Sequence, residues 1–133
     1  MSFKAEDRFS LTVQVTEKMA NQFAELFGIS SHINNENHKE TLFDRRIAHE
    51  MISGALISRA LAMGPGRGGI YLTQTLKFLK PIFINDVVIV EYRVISIREK
   101  QGLVNIETLV RNAESGDVLT KGEAITMDSK SMR

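Results

Sequence analysis

The stretch 49-HEMISGALISRALAM-63 decides how the rest of the chain packs. Only Glu50 and Arg59 are charged in it, and it runs into Gly64-Pro65. A helix that is apolar nearly all round is buried on most of its sides, so other elements must wrap it. The chain after residue 69 is strand-like throughout: 70-IYLTQTLKFLKPIF-83, 87-VVIVEYRVISI-97, 103-LVNIETLVRN-112 and 118-VLTKGEAITM-127. The links are short: 65-PGRGG-69, Asn85-Asp86, Glu99 to Gly102, and 114-ESGD-117, a good hairpin turn. Upstream, Phe9, Leu11, Val13 and Val15 alternate with polar residues and predict a first strand. Thr16 can cap a following helix, with Glu17 favoured in its first turn and Met19, Phe23 and Phe27 on one apolar face up to Gly28. Residues 29–41 are polar and without period. The order strand, helix, loop, buried helix, antiparallel meander is α+β, with the sheet curved around the helix at 49–63. Such a sheet leaves bare edges and an open helix flank. A second copy pairing edge to edge would close both, which predicts a dimer.

A chain of 133 residues is enough for one domain with a real core, here 1–133 with an ordered part from about 8 to 127 and a polar tail at 128–133. With 43% apolar and 25% charged residues the composition is that of a folded soluble protein, not of a disordered one. A formal charge of +1 gives no electrostatic reason to expect nucleic acid. The absence of cysteine excludes disulfides, a thiolate nucleophile and cysteine metal sites. The N-terminus alternates and carries charge, unlike a signal peptide, and no apolar run reaches a membrane span of roughly 18–20 residues. A cytoplasmic protein is the expectation.

Within 49–63, Glu50, Ser53, Gly54 and Ser58 fall on one helical stripe of small or polar residues. The stripe can serve close packing, with serine bonding back to its own helix, or it can line a cleft. In the second case the helix start offers free backbone N–H groups to a polarised oxygen. Of the three histidines, His49 sits at the helix start, His32 follows Ser30-Ser31 in the polar loop, and His38 lies in the charged run 36-ENHKE-40, most simply a solvated face. No HxxxH or HExxH pattern occurs, so spacing supports no metal site.

The segment 43-FDRRIAHEMISGALIS-58 resembles the F-x-x-R-[IV]-[AV]-H-G-M-x-x-x-x-L-x-S signature of MaoC-like, R-specific enoyl-CoA hydratases. The segment 70-IYLTQTLKFLKPIFINDVV-88 is similar to that family's I-Y-L-x-Q-x-L-x-F-x-x-P pattern, QFAELFG to its helix before the loop, and 97–112 with the GEA at 122–124 to its ending. The resemblance implies a hotdog fold, a sheet wrapped around a long helix, usually as a homodimer or a higher assembly built from it. It implies reversible addition of water to a trans-2-enoyl thioester, with CoA or acyl carrier protein as the substrate carrier and no other cofactor. Water is deprotonated as it attacks C3, C2 gains a proton, and the thioester oxygen is stabilised as an enolate.

Carried over residue by residue, His32 aligns with the catalytic histidine, eleven residues before Phe43. Glu50 stands at the glycine of H-G-M, whose N–H is the oxyanion donor, and Ser58 stands at the site serine. Ser31, His49 and Met51 are the neighbouring substrate-binding candidates. The family loop G-D-x-N-P-[IL]-H departs here: this chain reads 28-GISSH-32, two residues shorter and without the acid. Glu50 is the first candidate for the missing carboxylate and Asp44 the second. Three readings are open: a hydratase using a substitute acid, an acyl-thioester-binding sensor or subunit without turnover, and a thioesterase. Arg45, Arg46, Lys77 and Lys80 are candidates for holding the carrier's phosphates, Arg46 being equally suited to a structural ion pair.

Overall fold

The computed structural model describes residues 3–29, 46–64 and 69–128. Strand β1 (Arg8–Gln14) leads to helix α1 (Glu17–Leu26), and helix α2 (Met51–Met63) to β2 (Gly69–Gln74), β3 (Lys77–Phe78), β4 (Val87–Arg98), β5 (Leu103–Asn112) and β6 (Val118–Asp128). The six strands make one antiparallel sheet in the order β1-β4-β5-β6-β2, with β3 also on β6. As the short links imply, β4, β5 and β6 form a meander.

The alternation in the strands sets which face is buried. Val88, Val90, Tyr92 and Val94 of β4 meet Val104, Ile106 and Val110 of β5 on the inner face, and all are buried. Ile52, Leu56, Ile57, Ala60 and Leu61 of α2 close over them. On the outer face charged residues pair across strands, as Arg111 with Glu91 at 2.9 Å.

Thr16 caps α1 by accepting from the Met19 N–H at 3.1 Å, and Gly28 takes the left-handed φ of 67° beyond its end. The expected apolar face of α1 is cut short: Met19 and Phe23 pack on the core, whereas Phe27 is 62% exposed, with its ring 5.0 Å from that of Phe23 between centroids. Helix α2 is less enclosed than its composition predicts. Met51, Ala55, Ser58, Ala62 and Met63 stand exposed on one side of it, which is the open flank the wrapping argument requires. The run 70–83 is not one strand. It breaks at Thr75–Leu76 because the Thr75 carbonyl bends in over Gly122 of β6, where any larger residue would occupy its place. Beyond Pro81, Phe83 bridges back to Ile47, and the Ala48 N–H donates to the Ile82 carbonyl at 2.8 Å. This bridge delivers the chain to the start of α2.

Candidate active site

The first turn of α2 is built from its own side chains. His49 Nδ1 accepts from the Met51 N–H at 3.2 Å, and the His49 ring lies 5.9 Å from that of Phe23. The His49 carbonyl accepts from the Ile52 N–H at 3.0 Å. Glu50 is therefore the residue just before the helix, not within its first turn, and its carboxylate makes no capping bond. Its backbone N–H has no acceptor among the described residues. Because that N–H is antiparallel to the inward His49 carbonyl, it points off the end of the helix, along the positive end of the dipole.

Beside it lies a cleft of about 320 Å³ lined by Ile47, Ala48, Glu50, Ser53, Phe78, Leu79, Lys80, Pro81, Ile82 and Thr120. Its floor is polar. Thr120 Oγ1 donates to Ser53 Oγ at 3.1 Å, and Ser53 Oγ donates to the Glu50 carbonyl at 2.7 Å. On the other side of the same turn, Met51 and Gly54 border a second cleft of about 320 Å³ with Tyr71, Leu72, Thr73, Gln74 and Leu76. There the Tyr71 hydroxyl donates to Gln74 Oε1, and Gln74 Nε2 donates to the buried Thr108 hydroxyl at 3.0 Å. Burial raises the Tyr71 phenol from 10.0 to about 12, so it stays a neutral donor.

The small-residue stripe thus does not line one wall. Glu50 and Ser53 face one cleft, Gly54 faces the other with Met51, and Ser58 is exposed further along the open side of α2. Ser53 is both the back-bonding serine and a cleft residue. His49 is engaged as the helix cap. His32, Ser31, His38, Asp44 and Arg45 lie outside the described residues.

Among the phosphate candidates, Arg46 is tied to α1: its guanidinium meets Glu17 Oε1 at 2.8 Å and Asn21 Oδ1 at 3.2 Å. Lys80 borders the first cleft and bonds Asp117 at 3.0 Å, and that bond and charge hold the Asp117 carboxyl below its ordinary range. Lys77 lies on β3 opposite Lys121. Sequence reasoning missed Thr120 and the wall from Phe78 to Ile82. The signal for Thr120 was the run of small and hydroxyl residues Thr120, Gly122, Ala124 and Thr126 at every second position of β6.

A family model described as the MaoC like domain matches residues 2–115. The chain belongs to the MaoC-like family. An (R)-specific enoyl-CoA hydratase of Rhodospirillum rubrum is 37% identical over 98 residues, 73% of this chain and 67% of that protein. One of Aeromonas caviae is 36% identical over 86 residues, 64% of this chain and 63% of that protein. These matches span about two thirds of the relatives' length. The structure of an R-hydratase from Pseudomonas aeruginosa in the unliganded form superposes with a TM-score of 0.88 at 34% identity, over 95% of this chain and 82% of that one. The sheet around α2 is the hotdog fold of such MaoC-like proteins, as the resemblance implied. No helix among the described residues is long and apolar enough to cross a membrane.

Proposed function

We propose that this MaoC-like protein is an R-specific hydratase of trans-2-enoyl thioesters, running in the dehydratase direction when the 3-hydroxyacyl thioester accumulates. The observation that carries the reading is the N–H of Glu50, which has no acceptor among the described residues, beside the 320 Å³ cleft that Glu50 lines. A thioester carbonyl placed there meets a fixed donor at a helix N-terminus, which favours the negative charge that develops on its oxygen. The similarity to named hydratases supports the same chemistry.

In this reading His32 takes a proton from water as the oxygen bonds to C3. The C2–C3 π electrons move to C2 and onto the thioester oxygen held by the Glu50 N–H. The enolate then collapses as C2 takes the proton that His32 removed from water, returning His32 to its starting state and leaving the 3-hydroxyacyl thioester. The Glu50 carboxylate replaces the acid that 28-GISSH-32 lacks, holding the water or orienting His32. In this reading the acyl chain runs past Met51 toward the apolar cleft that Met51 and Leu76 border, and Ser31, His49 and Ser58 stay substrate-binding candidates on the family resemblance. The chemistry is proton transfer on the thioester and draws on no cofactor beyond the carrier, CoA or acyl carrier protein.

A second copy completes the assembly in this proposal. The exposed Met51, Met63, Ile70 and Leu72 form an apolar flank along α2 and the edge strand β2, which a homodimer would cover. A cytoplasmic setting fits these substrates. The test is the decay of enoyl absorbance when the protein is mixed with crotonyl-CoA. Measurable decay supports the reading; no decay at high protein concentration, with acyl-CoA still bound, leaves a binding protein instead.

A further inference from the structure

We infer that Ser53 and Thr120 are positioning residues that set the angle of the Glu50 N–H, so that the sheet, through β6, holds the oxyanion donor in place. The inference rests on the hydratase reading of the cleft. Ser53 is 0% and Thr120 2% exposed, so each hydroxyl had to leave water and find a partner inside. They found each other, at 3.1 Å, across the gap between α2 and β6. Direction matters here. Thr120 gives its hydrogen to Ser53, and Ser53 gives its own to the Glu50 carbonyl at 2.7 Å. That carbonyl also accepts the Ser53 N–H at 3.1 Å.

The peptide joining Glu50 to Met51 is therefore fixed at both ends: its carbonyl by Ser53, its N–H by His49 Nδ1. The preceding peptide, whose N–H is the donor, is held among the described residues through its carbonyl, which accepts the Ile52 N–H at 3.0 Å. One rotatable Cα, that of Glu50 at φ −59° and ψ −29°, joins the two. Anchoring the second peptide to β6 limits how far the first can swing. A core of apolar residues would hold α2 against the sheet equally well, but without direction. Two buried hydroxyls in series supply a directional tie beside the one turn that faces the cleft.

The test uses the intact protein and crotonyl-CoA. Ser53→Ala removes the tie, Thr120→Val removes its anchor at nearly constant volume, and Thr120→Ser restores the hydroxyl. Removing an oxyanion donor outright costs about 10²–10³ in kcat, and loosening one costs less, so Ser53→Ala and Thr120→Val are expected to lower kcat about 10-fold with KM little changed. Thr120→Ser is expected to return most of it. The amide resonance of Glu50 should move in Ser53→Ala and Thr120→Val and recover in Thr120→Ser. Should Ser53→Ala not fold, the Thr120 pair carries the comparison alone. Unchanged kcat in the variants of an active protein would overturn the positioning role and leave the hydratase reading intact. An inactive parent protein would overturn both.

Discussion

Replacing Gly122 by alanine should damage both the fold and the cleft. Gly122 faces the bend between β2 and β3, where a methyl group would overlap the Thr75 carbonyl oxygen and stand 2.7 Å from its carbon. Ordinary carbon contacts are about 3.5–4.0 Å, so the bend would have to withdraw by roughly 1 Å. Bonds to β6 hold it in place, among them those from the Thr75 N–H to the Glu123 carbonyl and from the Glu123 N–H to Thr75 Oγ1, both 2.9 Å. Overpacking costs about 1–3 kcal/mol and each weakened bond up to about 1 kcal/mol. With some relief by strand movement the expected loss is about 2–4 kcal/mol. For a chain of this size that lowers Tm by roughly 6–15 °C.

Gly116→Ala is the control, since a methyl there meets nothing within 4 Å and pays only for its left-handed φ of 79°. That cost is about 1 kcal/mol. Urea unfolding of the parent and both variants measures the difference. Because the bend aims Phe78 to Ile82 at the cleft, Gly122→Ala should also lose hydration activity. A Gly122→Ala protein no less stable than Gly116→Ala would show that the Thr75 carbonyl does not need the space above Gly122.

Both tyrosines of the chain, Tyr71 and Tyr92, are raised by burial from 10.0 to about 12, Tyr92 further by the charge of Asp7. A group with a raised folded pKa stabilises below its unfolded value and loses that contribution as pH climbs, so phenolate absorbance should stay low at pH 10 and rise toward 12 as stability falls. Arg46→Met removes the guanidinium bridging Glu17 and Asn21 and should cost about 1–2 kcal/mol in urea unfolding, discounted because Glu17 is largely exposed. His32→Ala should lower kcat by at least about 10², the usual worth of a general base, without moving Tm. Glu50→Gln keeps the backbone donor and removes the carboxylate, so a fall in kcat with a shifted pH profile would mark the substitute acid.

Most of the fold was legible because its signals are local. Alternation gave β1, β4, β5 and β6, and Thr16 and Gly28 marked the ends of α1. The errors came where a distant residue decides. Nothing within 70–83 says that Gly122, some fifty residues on, admits the Thr75 carbonyl and breaks the strand. Helical spacing put Glu50, Ser53, Gly54 and Ser58 on one stripe, but the sheet curves so that β6 takes Ser53 and the edge strand takes Gly54. The role of Ser53 needed Thr120, which only the register of β6 brings near. The motif around Glu50 was readable from spacing. That its N–H has no acceptor among the described residues depends on the geometry of the turn, which spacing does not encode.

Every role assigned to the cleft depends on water adding to an enoyl thioester there despite the shortened 28-GISSH-32 loop. Product analysis after incubating the protein with crotonyl-CoA tests this most directly. Hydration at the cleft predicts R-3-hydroxybutyryl-CoA approaching the hydration equilibrium, at a rate proportional to protein. Crotonyl-CoA recovered unchanged, or released as free CoA and crotonate, would contradict it.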